Sequence, residues 1–271
     1  PIRNEIVLST KYSPAALMGQ EHISGGKLSR NGVRFAIESS LKRLQTDHVE
    51  LYYAHRVPEE ADVEEMAEWF GELIREGKIL AWGVSEATAE QVRKANAVTP
   101  LTAVQSEYSM MARQWETDVI PLCRELGIGF VAYSPMAGGL LSGKYTAQQH
   151  YEGDDIRRVI SRYKPENVTA NQPIINLVTQ FAQAKGCTPA QIALAWVMKQ
   201  THIVPIPGMR SDARIQENLG AAEVWLTHEE YATLTAELDK LNVYGNRTDE
   251  QIAELGELRT RLYGSSGVHK S

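Results

Sequence analysis

The chain has 271 residues, a formal net charge of −6, a pI near 5.7, 43% apolar and 23% charged residues. These values allow a full-sized core in one large α/β domain or two small ones, and a mildly acidic chain with no basic block excludes nucleic acid as the main partner. No run of about 18 apolar residues is available to span a membrane, PIRNEIVLSTK lacks the apolar stretch of a signal peptide, and two lone cysteines, Cys123 and Cys187, point to a reducing, cytoplasmic compartment without a disulfide framework.

In chain order, EIVLST (5–10) reads as a buried strand. RNGVRFAIESSLKRLQ (30–45) carries Val33, Ile37, Leu41 and Leu44 at helical spacing. HVELYYAH is a strand, and VEEMAEWFGELIREGK (63–78) a helix stopped by Gly77. Strand 78–85, helix 87–97, strand 101–108, helix 117–127 and strand 128–135 follow. An irregular stretch (136–169), rich in Gly, Tyr and charge, precedes helices over 171–186 and 188–200. Thr188 caps the second of these, with Pro189 at its first helical position. A short strand (201–208) and helices 211–222 and 227–241 complete the pattern. Thr227 and Glu230 form a capping box, and the tail from 242 is polar.

Strand and helix alternate, and the strands are apolar on both faces, which marks a parallel sheet covered by helices. No linker divides the chain, so 1–271 reads as a single domain. An open doubly wound sheet binding a dinucleotide predicts a GxGxxG turn after its first strand, and none is present. A closed (β/α)8 TIM barrel predicts polar residues at the C-terminal ends of several strands. The strand ends read Thr10-Lys11, His55-Arg56, Ser85-Glu86, Gln105, Tyr133-Ser134 and Ile206-Pro207-Gly208. A lone strand-end His is more often structural; six successive polar or Gly/Pro ends favour the barrel and its active face.

LSTK, SLKRLQTDHVELYYAHR, EGKILAWGVSEA, VQSEY, AYSPMAGGLLSGKY and PIPGMRSDARIQEN resemble the aldo-keto reductases in order, spacing and strand placement, from about residue 5 to 240. GVSEA, AVQSEYS and PLCRELGIG are most similar to the branch with perakine reductase and related bacterial enzymes. SPMAGGLLSGKY also resembles the potassium-channel beta subunits, a related branch.

The resemblance implies a (β/α)8 barrel holding an extended NADP(H) and reducing aldehydes or ketones. Of the family's Asp, Tyr, Lys and His, Lys11 matches the lysine and His55 the histidine. The Asp and Tyr belong to earlier units, and the first two βα units, roughly 55–60 residues, are expected upstream of Pro1. Ser85 and Gln105 match the groups that hold the nicotinamide carboxamide, whose one acceptor and two donors suit a hydroxyl and an amide. Glu86 stands where the family often has Asn. Tyr133 matches the aromatic that stacks on nicotinamide. The run from Ser134 through Pro135, Met136, Gly138 and Gly139 to Leu140 is the expected diphosphate strap, its glycines admitting close backbone approach. Gly208, Arg210 and Ser211 lie just before a helix start, and Arg210 and Arg214 offer guanidiniums for the adenosine 2′-phosphate, which favours NADPH over NADH. Arg214 is the firmer of the two, because the family varies at the position of Arg210. Glu217 and Asn218 match the adenine-binding residues.

Each residue also has a plainer reading. Lys11 can be a snorkelling strand-end lysine, Tyr133 a core residue, and 134–140 a glycine loop without a ligand. Lys144 either reaches a phosphate or is a surface lysine, and Arg56 reads as structural. The acidic run 59–68 has no His beside it, and His22, His150, His202, His228 and His269 show no ligand spacing, so no metal is expected. The tryptophans read mostly as core or helix-packing residues, with Trp115 at the substrate mouth. Loops 12–28, 109–116 and 145–168 are expected to contact substrate, and Tyr12, Met110, Met111 and Trp115 suggest a hydrophobic carbonyl compound. A different class of protein with the same resemblance is an NADP-binding regulatory subunit. Oligomeric state is unread.

Overall fold

The computed structural model describes residues 2–12, 28–59, 61–153 and 155–247. Among these lie six strands: β1 (Ser9–Tyr12), β2 (Val49–Ala54), β3 (Ile79–Ser85), β4 (Ala103–Glu107), β5 (Gly129–Tyr133) and β6 (Ile203–Ile206). The helices are α1 (Arg30–Leu44), α2 (Val63–Arg75), α3 (Ala89–Val98), α4 (Val119–Leu126), α5 (Pro165–Ala170), α6 (Gln172–Lys185), α7 (Pro189–Met198), α8 (Asp212–Leu219) and α9 (His228–Leu238). The strands form a parallel α/β sheet whose order is the chain order. That is the arrangement expected of six consecutive βα units.

The helix boundaries follow from local chemistry. The hydroxyl of Ser29 accepts from Gly32 N at 3.1 Å and opens α1. Reciprocal capping boxes open α3 (Thr88 and Gln91), α7 (Thr188 and Gln191) and α9 (Thr227 and Glu230). Gly127 and Gly186, both left-handed, end α4 and α6.

Two compact units divide the chain. The first holds residues up to 106 and Asp118–Gly129. There β1, β2, β3 and β4 pair in parallel. One sheet face carries Tyr52 and Trp82, which meet Phe70 of α2 at ring-centroid distances of 5.6 and 4.9 Å. All three rings are fully buried, and burying such a side chain stabilises by roughly 1.5–3 kcal/mol.

The second unit holds, among the described residues, Glu107–Thr117 and 130–247. There β5 pairs in parallel with β6. Tyr108, Trp196 and Tyr231 stack in series, and Gln200 donates to the Tyr108 hydroxyl. Arg162 and Glu107 form a buried ion pair at 3.0 Å, and Arg162 also donates to the Met111 carbonyl. The irregular stretch 136–169 contains three short 3-10 turns and α5. Residues 244–247 are stitched down: the Asn171 side chain brackets Tyr244 N and O at 2.9 and 2.8 Å, and Ser161 bonds Asn246.

Three expectations need correction. The first strand lies at 9–12, because Arg3–Glu5 takes a 3-10 turn and leaves Ile6 and Val7 exposed. Tyr12, Met110 and Met111 are buried in the core, so they do not line an open mouth. Trp225 is 74% exposed and lies under the Lys199 ammonium, so it packs against no helix core.

Candidate active site

The C-terminal strand ends of the first unit bring four expected residues into a short span of sheet. Parallel register places Lys11 opposite Tyr53, Tyr53 opposite Gly83, and Gly83 opposite Ala103. One pleat further on, Ser85 is opposite Gln105. Side chains alternate along strands, so these residues share the sheet face opposite Tyr52 and Trp82. His55 follows β2 directly, its N–H donating to the Tyr12 carbonyl at 2.8 Å. Ser85 and Gln105 are 2% and 5% exposed: polar side chains held out of water in an otherwise apolar layer.

Lys11 is partly buried, and that desolvation lowers its pKa. Its Nζ stands 5.9 Å from the centre of the Tyr53 ring. Burial pushes Tyr53 up to about 12, against a downward pull from a hydrogen bond with the Gln105 side chain. The backbone turns sharply where β2 and β3 end. Arg56 (φ +54°) and Glu86 (φ +57°) are left-handed without being glycine. Such conformations cost about 1–3 kcal/mol each and concentrate at functional sites. Asn, which the resemblance leads one to expect at position 86, tolerates this region better than Glu. Arg56 is buried, in keeping with its structural reading.

In the second unit, Ser134 follows β5 in the same left-handed conformation, with φ +50°. The Arg247 guanidinium lies 5.0 Å from the centre of the Tyr133 ring and donates to Ser134 Oγ at 3.2 Å. Gly138 and Gly139 have φ +70° and +109°. A Cβ at Gly138 would meet the Tyr163 hydroxyl at 2.2 Å, and one at Gly139 would meet the Tyr145 ring at 2.8 Å. Tyrosine packing therefore gives both glycines a reason that involves no ligand. Pro135 and Leu140 are buried, and Met136 is half-buried.

The segment before α8 leaves Gly208 and Arg210 exposed. Arg214 bonds Glu217 at 2.9 Å, and Lys144 approaches the same carboxylate at 3.4 Å. Burial raises the Glu217 pKa, but the Lys144 and Arg214 charges outweigh it and hold the carboxyl below its ordinary range. Lys144 is thus committed to an ion pair in this structure. Asn218 is 8% exposed, its amide nitrogen donating to the Gly208 carbonyl at 3.5 Å while Oδ1 is buried without a partner. An orphaned buried acceptor of this kind fits an exocyclic amine such as that of adenine.

Two residues beside the expected ones escaped the sequence reading: Tyr53, next to Lys11, and Arg247, on Tyr133 and Ser134. Only Tyr53 carried a signal, the strand-interior Gly83 beside it, since a glycine there marks close approach of another group. Among the described residues no cluster of His, Cys, Asp and Glu could hold a metal, and no helix is long and apolar enough to cross a membrane. His22 and His269 lie outside the described residues, as do most of loop 12–28 and the tail beyond 247.

The chain is similar in structure to a thermostable aldo-keto reductase, Tm1743, solved with the inhibitor epalrestat. Identity is 26% and the TM-score 0.65, over 87% of this chain and 72% of that one. It also shares its fold with the glycerol dehydrogenase AKR11B4 from Gluconobacter oxydans, at 24% identity and a TM-score of 0.72, over 80% of this chain and 67% of the other. The sequence pattern of the aldo/keto reductase family matches residues 1–239. The chain therefore belongs to the aldo/keto reductase family and is an oxidoreductase.

Proposed function

We propose that this oxidoreductase is an NADPH-dependent, cytoplasmic reductase that converts aldehydes or ketones to alcohols. The observation that carries the reading is the shared sheet face of Lys11, Ser85 and Gln105, with His55 at the next strand end. In the first unit, Ser85 and Gln105 hold the carboxamide of the cofactor. In the second, Tyr133 and the strap from Ser134 to Leu140, including Pro135, Met136 and Gly138, take its middle portion. Gly208, Arg210, Arg214, Glu217 and Asn218 take the adenosine end, with Asn218 Oδ1 as acceptor for the amine. When bound, the cofactor supplies the hydride.

Lys11 and His55 handle the other half of the chemistry. A partly desolvated ammonium stabilises a neighbouring phenolate and brings a phenol's pKa toward neutrality, which makes the phenol a better proton donor. The phenol concerned is the tyrosine that the family resemblance adds to Lys11 and His55; no residue of this sequence is assigned to it. His55 donates to the carbonyl oxygen and stabilises the negative charge that grows there.

The test purifies the complete protein, including the tyrosine that the resemblance implies, and follows loss of NADPH absorbance with 4-nitrobenzaldehyde. Turnover is expected, and Lys11→Met should lower kcat by roughly 100-fold or more. Tight NADPH binding without turnover across a panel of aldehydes would favour the regulatory-subunit reading instead.

A further inference from the structure

Within the second unit, residues 244–246 are fixed one after another. Asn171, fully buried, holds Tyr244 by both backbone groups: Oδ1 accepts from its N–H at 2.9 Å, and the amide nitrogen donates to its carbonyl at 2.8 Å. Gly245 has φ +75°, and a Cβ there would stand 2.6 Å from the backbone of Arg162, so the chain lies flush against that residue. Asn246 N donates to Ser161 Oγ at 3.0 Å. Three anchored residues deliver a fourth, Arg247. Its guanidinium lies 5.0 Å from the centre of the Tyr133 ring, and one terminal nitrogen donates to Ser134 Oγ at 3.2 Å. Its Nε is buried and, among the described residues, has no acceptor. Arg113, Arg157, Arg162 and Arg214 of the same unit each pair with a carboxylate. Among the described residues, Arg247 pairs with none.

A guanidinium held in place without a counter-ion, with one N–H turned away from water, is an incomplete ion pair. Ser134, which it touches, begins the strap read as the cofactor's diphosphate site. That strap has no cation of its own, since residues 134–140 are all uncharged. Lys144, the next cation along the chain, is engaged by Glu217 at 3.4 Å. We propose that Arg247 is a diphosphate-binding residue of the cofactor site, carried there by residues 244–246, with Nε as the donor to a phosphate oxygen. The inference rests on the reading of 134–140 given under Proposed function, and it supplies the positive charge that this reading lacks. Arg suits the task because its donors form a rigid, always charged fork, and anchoring it beforehand reduces the ordering that binding must impose.

The experiment titrates two ligands separately into the complete protein by calorimetry: NADPH, and adenosine 2′-monophosphate, which has the 2′-phosphate but no diphosphate. Wild type, Arg247→Gln and Arg247→Lys are compared. Arg247→Gln should weaken NADPH by roughly 10- to 100-fold, the range for a lost hydrogen bond to a charged group. It should leave adenosine 2′-monophosphate unchanged, because that ligand does not reach the strap. Arg247→Lys keeps the charge without the fork and should recover part of the lost NADPH affinity. Unchanged NADPH affinity in Arg247→Gln overturns the inference. So does equal weakening of both ligands, which would make Arg247 a support of the fold, and so does a lysine variant that binds NADPH no better than the glutamine one. If wild type binds no NADPH, the reading of the function falls first and the inference with it.

Discussion

At the scale of single residues, charge and burial decide most of what can be tested. Glu50 anchors the approach to β1: Oε1 accepts from Arg3 at 2.7 Å and Oε2 from Leu8 N at 2.8 Å. The Arg3 hydrogen bond is the main reason the Glu50 carboxyl is pulled down to about 2. In the unfolded chain the same group titrates near 4.5. Between those values the unfolded state binds the extra proton, so stability rises with pH across the window. The contribution is fully present above about 4.5 and is lost as pH falls toward about 2. Urea unfolding followed by circular dichroism should show this slope in wild type and a shallower one in Glu50→Gln; identical slopes would remove Glu50 from the account. Lys11, His55, Ser85 and Gln105 were legible as residues because strand ends collect polar side chains. Tyr53 was not, because a tyrosine within an apolar strand has the same pattern whether it fills a core or holds a neighbour.

At the scale of elements, Gly83 is the sharpest case. Glycine inside a strand weakens it through backbone entropy, so a retained one needs a local cause. Here the cause is a backbone oxygen and an aromatic ring already occupying the place of a Cβ. Gly83→Ala should therefore destabilise the protein by about 1–3 kcal/mol, although alanine is ordinarily the better strand residue. A chemical denaturation midpoint equal to that of wild type would show that Tyr53 does not lie across β3. Most elements were readable from the sequence, because helix caps and left-handed glycines sit where the hydrophobic period changes. β1 was not. EIVLST has the composition of a strand, but Arg3 reaches back to Glu50 and the His48 carbonyl, and that tether curls residues 3–5 into a turn. Apolar content alone does not say whether a segment finds a sheet edge.

At the scale of the whole molecule, the alternation of strand and helix gave the parallel α/β class, and the family match over residues 1–239 gives the chemistry its class. The substrate stayed illegible because loops 109–116 and 145–168 are fixed by contacts far apart in sequence. Arg113 pairs with Asp239, and Ser161 bonds Asn246. No local pattern announces such contacts. The cofactor is the claim on which the rest depends, and it is tested most directly by titrating NADPH and NADH separately into the protein and reading both dissociation constants, in wild type and in Arg214→Ala. The account predicts tighter binding of NADPH than of NADH. It also predicts that the variant weakens NADPH by about 1–3 kcal/mol through lost charged hydrogen bonds while NADH is nearly unchanged. Equal affinities in wild type, or equal losses in the variant, would contradict it.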